Sequence, residues 1–210
     1  MPNASASKLK TMRERGFFVC IEGLDGCGKT TQAKLLTKKL KKTHDAIYTT
    51  EPTHGKIGRF IRKQCLQAEK RWPSTVEALL FAADRFEHVE NEINPWLGEG
   101  KLVVSDRYLY SSLAYQGAAG VDLSWILSLN KHAVLPGLAI FIDVAAETVV
   151  QRLKSEKSVM ENLETLRRVR EVYLSLVKNG DLVIIDGNTS KQEVAKGISQ
   201  LVLNRLGRTC

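Results

Sequence analysis

Residues 23–30 read GLDGCGKT and match the phosphate-loop pattern G-x-x-x-x-G-K-[ST] at every fixed position. Glycines in such a loop let backbone N–H groups converge on phosphate oxygens, and the helix that follows adds the positive potential of its N-terminus. Lys29 adds a full charge, and the hydroxyl of Thr30 is a ligand of the kind that Mg²⁺ accepts. The alternative is an ordinary glycine-rich turn before a basic helix. The predicted ATP-phosphate site comprises Gly23, Leu24, Asp25, Gly26, Cys27, Gly28, Lys29, Thr30 and Thr31.

A second group of candidate site residues is the charged pair Asp106 and Arg107, which follows the apolar run 102–105. Ligands in open α/β sheets collect at the carboxyl ends of strands. We therefore expect Asp106 to face the Mg²⁺ region together with Thr30, and Arg107 to reach a phosphate. The alternative is an ion pair between Asp106 and Arg107 at the strand end.

Two helical stretches carry side chains that suit a planar base. Phe81, Arg85 and His88 have the spacing of one helix face. A ring next to a guanidinium can stack on a base while the arginine donates to an exocyclic oxygen. The alternative places Phe81 in the core and Arg85 at the surface. The helix after Arg107 supplies a second polar face, made of Ser112, Tyr115 and Gln116.

These side chains need a sheet that brings them to one edge. Apolar, β-rich runs recur at 17–22, 46–50, 102–105, 139–144 and 182–186, with helical stretches between them. The alternation predicts an α/β protein with a five-stranded parallel sheet and helices on both faces. The phosphate loop between the first strand and the first helix makes this the P-loop NTPase fold. Capping boxes at Ser74 and Ser190 predict two helix starts, Pro95 is expected to kink or end the first of these helices, and a further helix is expected at about 160–178.

The composition is that of a globular protein of one ordinary domain. Of the 210 residues, 43% are hydrophobic and 26% are charged. The chain has no apolar run of roughly eighteen residues, so we expect no membrane span. Residues 1–15 are interpreted as a flexible basic extension without a secretory signal. Four cysteines without metal-site spacing fit reduced thiols in a cytoplasmic protein, and Cys27 is interpreted as a small loop residue rather than a redox switch.

The net charge of +8 fits either a nucleic-acid-binding protein or an enzyme with anionic substrates. The sequence contains no recognisable nucleic-acid-binding module, so a nucleic-acid partner is not expected.

From residue 17 onwards the sequence resembles the thymidylate kinases. The resemblance is carried, in order, by EGLDGCGKTT (22–31), TEPT (50–53), LLFAADR (79–85), SDRY (105–108), SSLAYQG (111–117) and IFIDV (140–144). It implies ATP-dependent phosphorylation of dTMP to dTDP, with ATP and Mg²⁺ as cofactors, in a homodimer. It also implies one nucleoside monophosphate kinase domain over residues 16–210, with a short lid at about 151–159.

The resemblance also implies the contacts of the base and sugar. Phe81 would stack on thymine, and Arg85 would contact its O4 atom. Ser112 and Gln116 would lie at the other polar edge of the base. Tyr115 would crowd the 2′ position of the sugar and so favour deoxyribose.

Around the phosphates and the adenine, the resemblance implies four more roles. Arg107 would bind the acceptor phosphate, and Asp25 would lie between the acceptor and the transferred group. Glu51 is assigned to the acceptor site, and Asn188 to the surroundings of the adenine of ATP.

The chain departs from the family pattern at two positions. Thr50 stands where many members have an arginine, so phosphate anchoring would depend more on Arg107, with Arg59 as a helper. Gly26 stands where some members have a catalytic arginine. A lid cation would then replace it, and Arg152 is preferred to Lys154 and Lys157 because a guanidinium binds phosphate oxygens bidentately.

Two other functions are compatible with parts of this sequence. A deoxynucleoside kinase would need a carboxylate base for a neutral 5′-hydroxyl, and Glu51 could supply it. An ATP-switched nucleic-acid-binding protein would use the basic surface instead.

Overall fold

A computed structural model describes residues 16–67, 71–153 and 163–207. Within these residues, five strands form one parallel sheet in the order β2-β3-β1-β4-β5. The predicted five-stranded parallel sheet is confirmed, and every strand end lies within one residue of its predicted position. The strands are β1 (Phe17–Gly23), β2 (Ala46–Thr50), β3 (Leu102–Asp106), β4 (Leu138–Asp143) and β5 (Val183–Asp186).

Helices flank this sheet on both faces. In the described residues they are α1 (Lys29–Leu40), α2 (Lys56–Ile61), α3 (Ser74–His88), α4 (Asn94–Gly98), α5 (Leu109–Ala118), α6 (Leu123–Leu129), α7 (Ala146–Leu153), α8 (Leu163–Lys178) and α9 (Lys191–Leu206). One group pairs α1 with α9, and the other packs α5 against α3, α6 and α8. The predicted extension 1–15 and most of the predicted lid lie outside the described residues.

The two predicted capping boxes have different outcomes. At α9 the Ser190 hydroxyl accepts from the N–H of Glu193, and the Glu193 carboxylate accepts from the N–H of Ser190, so that prediction is confirmed. At α3 the predicted helix start is confirmed but the predicted capping box is wrong, because Pro73 takes the N-cap position and Ser74 is already helical. The carboxylate of Glu77 pairs instead with Arg71, whose Nε lies 2.8 Å from Glu77 Oε1.

Pro95 does not end the helical path that begins at Ser74. A π-helical stretch, Val89–Ile93, continues α3 into α4, where Pro95 occupies one of the first two positions. Proline has no N–H to donate, so its place directly after the π-helical stretch fits a local break in the i→i−4 hydrogen bonds of the helix.

The parallel register aligns the carboxyl ends of three adjacent strands. Ile21 of β1 and Thr50 of β2 both lie beside Asp106 of β3. The phosphate loop after β1, the segment after β2 and the Asp106–Arg107 pair therefore meet at one edge of the sheet.

The core on which this edge depends is formed by the central strands and the helices against them. Cys20, Ile21, Val103, Val104 and Ile140 are fully buried. Of the described cysteines, Cys20, Cys27 and Cys65 are free and buried. In the described part of the chain, no helix combines the length and the apolar character that a membrane span requires.

Candidate active site

A cleft of about 600 Å³ opens at this edge of the sheet and gathers most of the predicted site residues. It lies between the phosphate loop on one side and the faces of α3 and α5 on the other. The predicted residues that line it are Asp25, Gly26, Gly28, Lys29, Thr30, Thr31, Glu51, Phe81, Arg85, Asp106, Arg107, Ser112, Tyr115 and Gln116.

Five predicted residues do not line the cleft. Gly23 is buried at the base of the phosphate loop, and the side chains of Leu24 and Cys27 are buried in the core. Any contact of these three with phosphate would therefore be made by the backbone. Arg152 is exposed near the end of α7, and Asn188 bonds to Asp186 in the turn after β5, so their assignment to ATP stays a prediction.

The phosphate loop has a shape that requires glycine at two places. Gly23 has φ +146°, and a Cβ atom there would lie 2.7 Å from the sulfur of Cys27 and 2.8 Å from the carbonyl oxygen of Ile142. Gly28, with φ +100°, is the N-cap of α1. Both conformations are costly for residues with a side chain. Burial raises the pKa of the Cys27 thiol, which agrees with its interpretation as a small packing residue.

Lys29 is anchored inside the loop. Its Nζ donates to the carbonyl oxygen of Leu24 at 2.7 Å and lies 3.7 Å from Asp25 Oδ1, and only 5% of the residue is exposed. The charge is therefore concentrated at the floor of the cleft, in front of the N-terminus of α1.

Thr30 and Asp106 lie together, as expected for two residues that share one metal ion. The Thr30 hydroxyl donates to Asp106 Oδ2. Within the described residues, the other carboxylate oxygen of Asp106 is buried and has no hydrogen-bond partner. A hard cation such as Mg²⁺ prefers carboxylate and hydroxyl oxygens, so this pair fits a Mg²⁺ ion bound with substrate phosphates.

Arg107 faces the phosphate loop and pairs with Asp25, whereas among the described residues it forms no ion pair with Asp106. The expected alternative of an Asp106–Arg107 ion pair is therefore wrong. Nη1 of Arg107 donates to the hydroxyl of Ser111 at 2.9 Å, and the guanidinium of Arg107 lies 5.1 Å from the ring centre of Tyr115. Burial raises the pKa of the Asp25 carboxyl, but the charges of Arg107 and Lys29 outweigh it and lower this pKa to about 2.

Arg85 is buried, so the alternative that placed it at the surface is wrong. It is 1% exposed and donates to Asn130 Oδ1 at 2.6 Å, to Glu51 Oε2 at 2.8 Å and to the Ser112 hydroxyl at 3.1 Å. Phe81, one turn earlier on α3, is half-buried and lines the cleft. A flat pocket wall next to a fixed hydrogen-bond donor suits a planar heterocycle.

Both oxygens of the Glu51 carboxylate have a partner. Oε2 accepts from Arg85, and Oε1 lies 3.1 Å from Nδ1 of His88. The other ring nitrogen of His88, Nε2, lies 2.7 Å from the hydroxyl of Thr49. A carboxylate bound in this way is poorly placed to take a proton from a substrate hydroxyl.

Of the two arginines after β2, Arg59 of α2 was expected as the phosphate helper, but it does not line the cleft. Arg59 is exposed and donates to the carbonyl of His54, whereas Arg62, in the π-helical turn Arg62–Leu66 that continues α2, lines the cleft. Arg62 donates to the carbonyl of Pro52, and its Nε is buried without a partner among the described residues. The spacing gives a weak signal, because residues three apart share a helix face and either could point to the cleft.

Comparison with known proteins agrees with this geometry. Residues 21–198 match a family model described as Thymidylate kinase. A "Probable thymidylate kinase" of Thermococcus gammatolerans is 44% identical over 199 residues, covering 89% of this chain and 96% of the relative. A protein of the same name from Pyrococcus abyssi is 43% identical over 201 residues (91% and 98%), and one from Pyrobaculum calidifontis is 41% identical over 187 residues (88% and 95%).

Proposed function

The chain belongs to the thymidylate kinase family, and we propose that the cleft holds its two substrates with their phosphates facing each other. The protein is a dTMP kinase, a phosphotransferase that converts dTMP to dTDP with a nucleoside triphosphate, ATP, as donor. The observation that carries the proposal is the position of Arg107, which lies in one cleft with the phosphate loop and with the Phe81–Arg85 wall.

On the donor side, the phosphates of ATP lie in the loop 23–31. The left-handed glycines, the anchored Lys29 and the N-terminus of α1 support this placement. Asn188 lies beside the adenine, and Arg152 reaches the phosphates from a lid at about 151–159. Residues 154–162 lie outside the described part of the chain, so only the exposure of Arg152 bears on the lid.

On the acceptor side, thymine lies against Phe81 with its O4 atom toward Arg85. The fixed guanidinium of Arg85 supports this, as does the position of Ser112 and Gln116, which are 3% exposed at the cleft wall. Tyr115 lies beside the 2′ carbon of the sugar and favours deoxyribose.

Arg107 binds the acceptor phosphate, with Arg62 as a second cation in place of Arg59. Asp25 contacts Arg107 and lies 3.7 Å from Lys29. Its carboxylate therefore lies between Arg107, which binds the acceptor phosphate, and Lys29, which binds the phosphates of ATP. The acceptor oxygen is already ionised, so no strong general base is needed, and catalysis depends on alignment and on neutralisation of the transferring group. Glu51 keeps Arg85 in place.

Thr30 and Asp106 would hold Mg²⁺, for which the unpartnered oxygen of Asp106 is the supporting observation. When bound, the ion supplies positive charge to the phosphate oxygens of the donor.

Homodimer formation and a cytoplasmic location belong to the same proposal. Leu79 of α3 is 49% exposed, and the rings of Phe60 and Trp72, which contact each other, lie near 40% exposure. Exposed apolar side chains of this size support an apolar contact surface. The free thiols of Cys20, Cys27 and Cys65 agree with a reducing compartment.

The test is a coupled assay of ADP release over a panel of nucleoside monophosphates, with thymidine as an additional acceptor. We expect turnover with dTMP well above that with purine monophosphates, and none with thymidine. A rate with thymidine that exceeds the rate with dTMP would favour a deoxynucleoside kinase.

A further inference from the structure

We propose that Glu22 is a positioning residue for Arg107, whose backbone and guanidinium it fixes, so that binding of the acceptor phosphate depends on this buried carboxylate. The inference depends on the role of Arg107 proposed above. Glu22 does not line the cleft; it lies behind Arg107, on β1, one residue before the phosphate loop.

The carboxylate of Glu22 accepts three hydrogen bonds inside the core. The residue is 0% exposed. Its Oε1 accepts from the backbone N–H of Tyr108 at 2.8 Å, and its Oε2 accepts from the hydroxyls of Ser111 at 2.6 Å and Tyr173 at 3.1 Å. These donors come from the loop after β3, from α5 and from α8, so one side chain connects three elements.

The first connection fixes the backbone of Arg107. This residue has φ +71°, in the left-handed region that costs energy for a residue with a side chain. Three bonds hold it there: its N–H donates to Ile21, its carbonyl accepts from Ser105, and the next N–H, that of Tyr108, donates to Glu22. The Glu22 carboxylate supplies the only one of the three that involves an ionisable group.

The second connection fixes the guanidinium. The hydroxyl of Ser111 has one proton, and it donates that proton to Glu22. The lone pairs of the same oxygen therefore point away from Glu22, and Arg107 Nη1 donates to them at 2.9 Å. An ionised Glu22 makes Ser111 an acceptor toward Arg107, whereas a protonated one would donate to Ser111 and weaken that role.

Electrostatics make this connection sensitive to pH near neutrality. Burial raises the pKa of Glu22 to about 7, and the bonds from Ser111 and Tyr173, the charge of Arg107 and the Tyr108 N–H act in the opposite direction. The other titratable groups that its charge reaches are Cys20 on its own strand and Tyr110 on α5. Among the described residues, Arg107 is the cation whose charge lowers the pKa of Glu22.

The test compares Glu22→Gln with Tyr173→Phe at pH 8. Both variants remove or weaken bonds to the same carboxylate. Tyr173→Phe also removes a 3.2 Å contact between the hydroxyls of Tyr173 and Ser111, but it leaves the bonds of Glu22 to Tyr108 and Ser111 and the bond of Ser111 to Arg107 in place. We expect KM for dTMP to rise about tenfold or more in Glu22→Gln, while KM for ATP stays within about twofold. In Tyr173→Phe both constants stay within about twofold. Should Glu22→Gln not fold, Ser111→Ala breaks the path to the guanidinium and is expected to raise KM for dTMP alone.

A pH series provides a readout that a purely structural role would not change. The phosphate of dTMP itself titrates, so the informative quantity is the ratio of kcat/KM for dTMP between wild type and Glu22→Gln. We expect this ratio to fall toward one as the pH is lowered through about 7, because wild-type Glu22 is then protonated. A ratio that is constant with pH, or equal losses for dTMP and ATP, would overturn the proposal.

Arg107→Met separates this inference from its premise. If KM for dTMP rises in Arg107→Met but not in Glu22→Gln, the positioning role of Glu22 is wrong and the proposed function stands. If Arg107→Met leaves KM for dTMP unchanged, the premise is wrong and the inference falls with it.

Discussion

Each of three cations in the cleft lies against a carboxylate of the protein. Arg85 pairs with Glu51, and Arg107 and Lys29 both lie next to Asp25. Charges fixed in this way need little rearrangement when an anionic substrate arrives, which is what electrostatic preorganisation requires.

Replacing Lys29 by alanine should abolish turnover and leave the fold intact. The variant removes a full charge at the phosphate loop, and a loss of one such stabilising group costs on the order of 10²–10³ in kcat or more. The measurements are kcat by ADP release and Tm, with Lys38→Ala, on the exposed side of the same helix, as control. An unchanged kcat in Lys29→Ala would remove the loop from the mechanism.

Replacing Phe81 by alanine should weaken binding of dTMP and leave that of ATP almost unchanged. Stacking of a base on an aromatic ring contributes about 1–3 kcal/mol in proteins that bind single bases this way. KM for each substrate reports the difference, and Phe86→Ala controls for the loss of a ring from α3. Equal losses for both substrates would argue against stacking.

Replacing Arg85 by alanine should destabilise the fold strongly. The substitution leaves Glu51 buried without its cation, which typically costs about 3–5 kcal/mol. Unfolding in denaturant measures the free energy of unfolding of wild type and variant. The matched control is Arg167→Ala, because the Arg167–Glu147 pair is more than half exposed and should contribute at most about 1 kcal/mol. Similar losses in the two variants would contradict the account.

At the scale of secondary structure, the central strands β1, β3 and β4 were predictable because burial on both sheet faces leaves unbroken apolar runs. The edge strand β5 is largely exposed and was predictable from its run of β-branched residues instead. The start of α3 at Ser74 was predictable as well, but its cap was not, since the sequence S-x-x-E fits a capping box equally well at Ser74 and Ser190. At Ser74 the carboxylate of Glu77 forms an ion pair with Arg71, and Pro73 occupies the N-cap position. Local sequence does not reveal such a competing partner.

The two S-x-x-E segments make a matched pair of substitutions. Ser190→Ala should lower the free energy of unfolding by about 1 kcal/mol, because it removes a hydroxyl that caps α9. Ser74→Ala should change it little, since no side-chain cap exists there. Equal effects in urea unfolding would mean that the cap at Ser190 contributes nothing in solution.

The parts of the site that sequence reasoning missed depend on contacts between elements that are distant in the chain. Asn130 and Arg85 are 45 residues apart, and Glu22 and Tyr173 are 151 residues apart. Neither pair forms a motif. The phosphate loop was predictable because all of its determinants lie within eight residues, where glycine spacing alone specifies the backbone.

At the scale of the whole molecule, the net charge of +8 is consistent with an enzyme that binds two anions in one cleft. Lys29, Arg62, Arg85 and Arg107 all line that cleft. The nucleic-acid alternative gains no support from the described structure.

Stability should depend on pH through Glu22. Its pKa is raised from 4.5 to about 7 in the folded state, so the folded protein binds more protons than the unfolded chain between these values. The free energy of unfolding therefore falls as the pH rises from about 4.5 to about 7, by about 3 kcal/mol at most from this group. Glu22→Gln should lack this contribution. Parallel pH profiles of unfolding for the two proteins would contradict it.

The most direct test of the central claim is a crystal structure with a bisubstrate ligand that joins thymidine to adenosine through a polyphosphate. The account predicts the pyrimidine ring against Phe81, with its O4 atom toward Arg85, the thymidine-side phosphate at Arg107 and the remaining phosphates in the loop 23–31. A pyrimidine ring bound anywhere else, or phosphates outside that loop, would contradict the proposed arrangement of the two substrates.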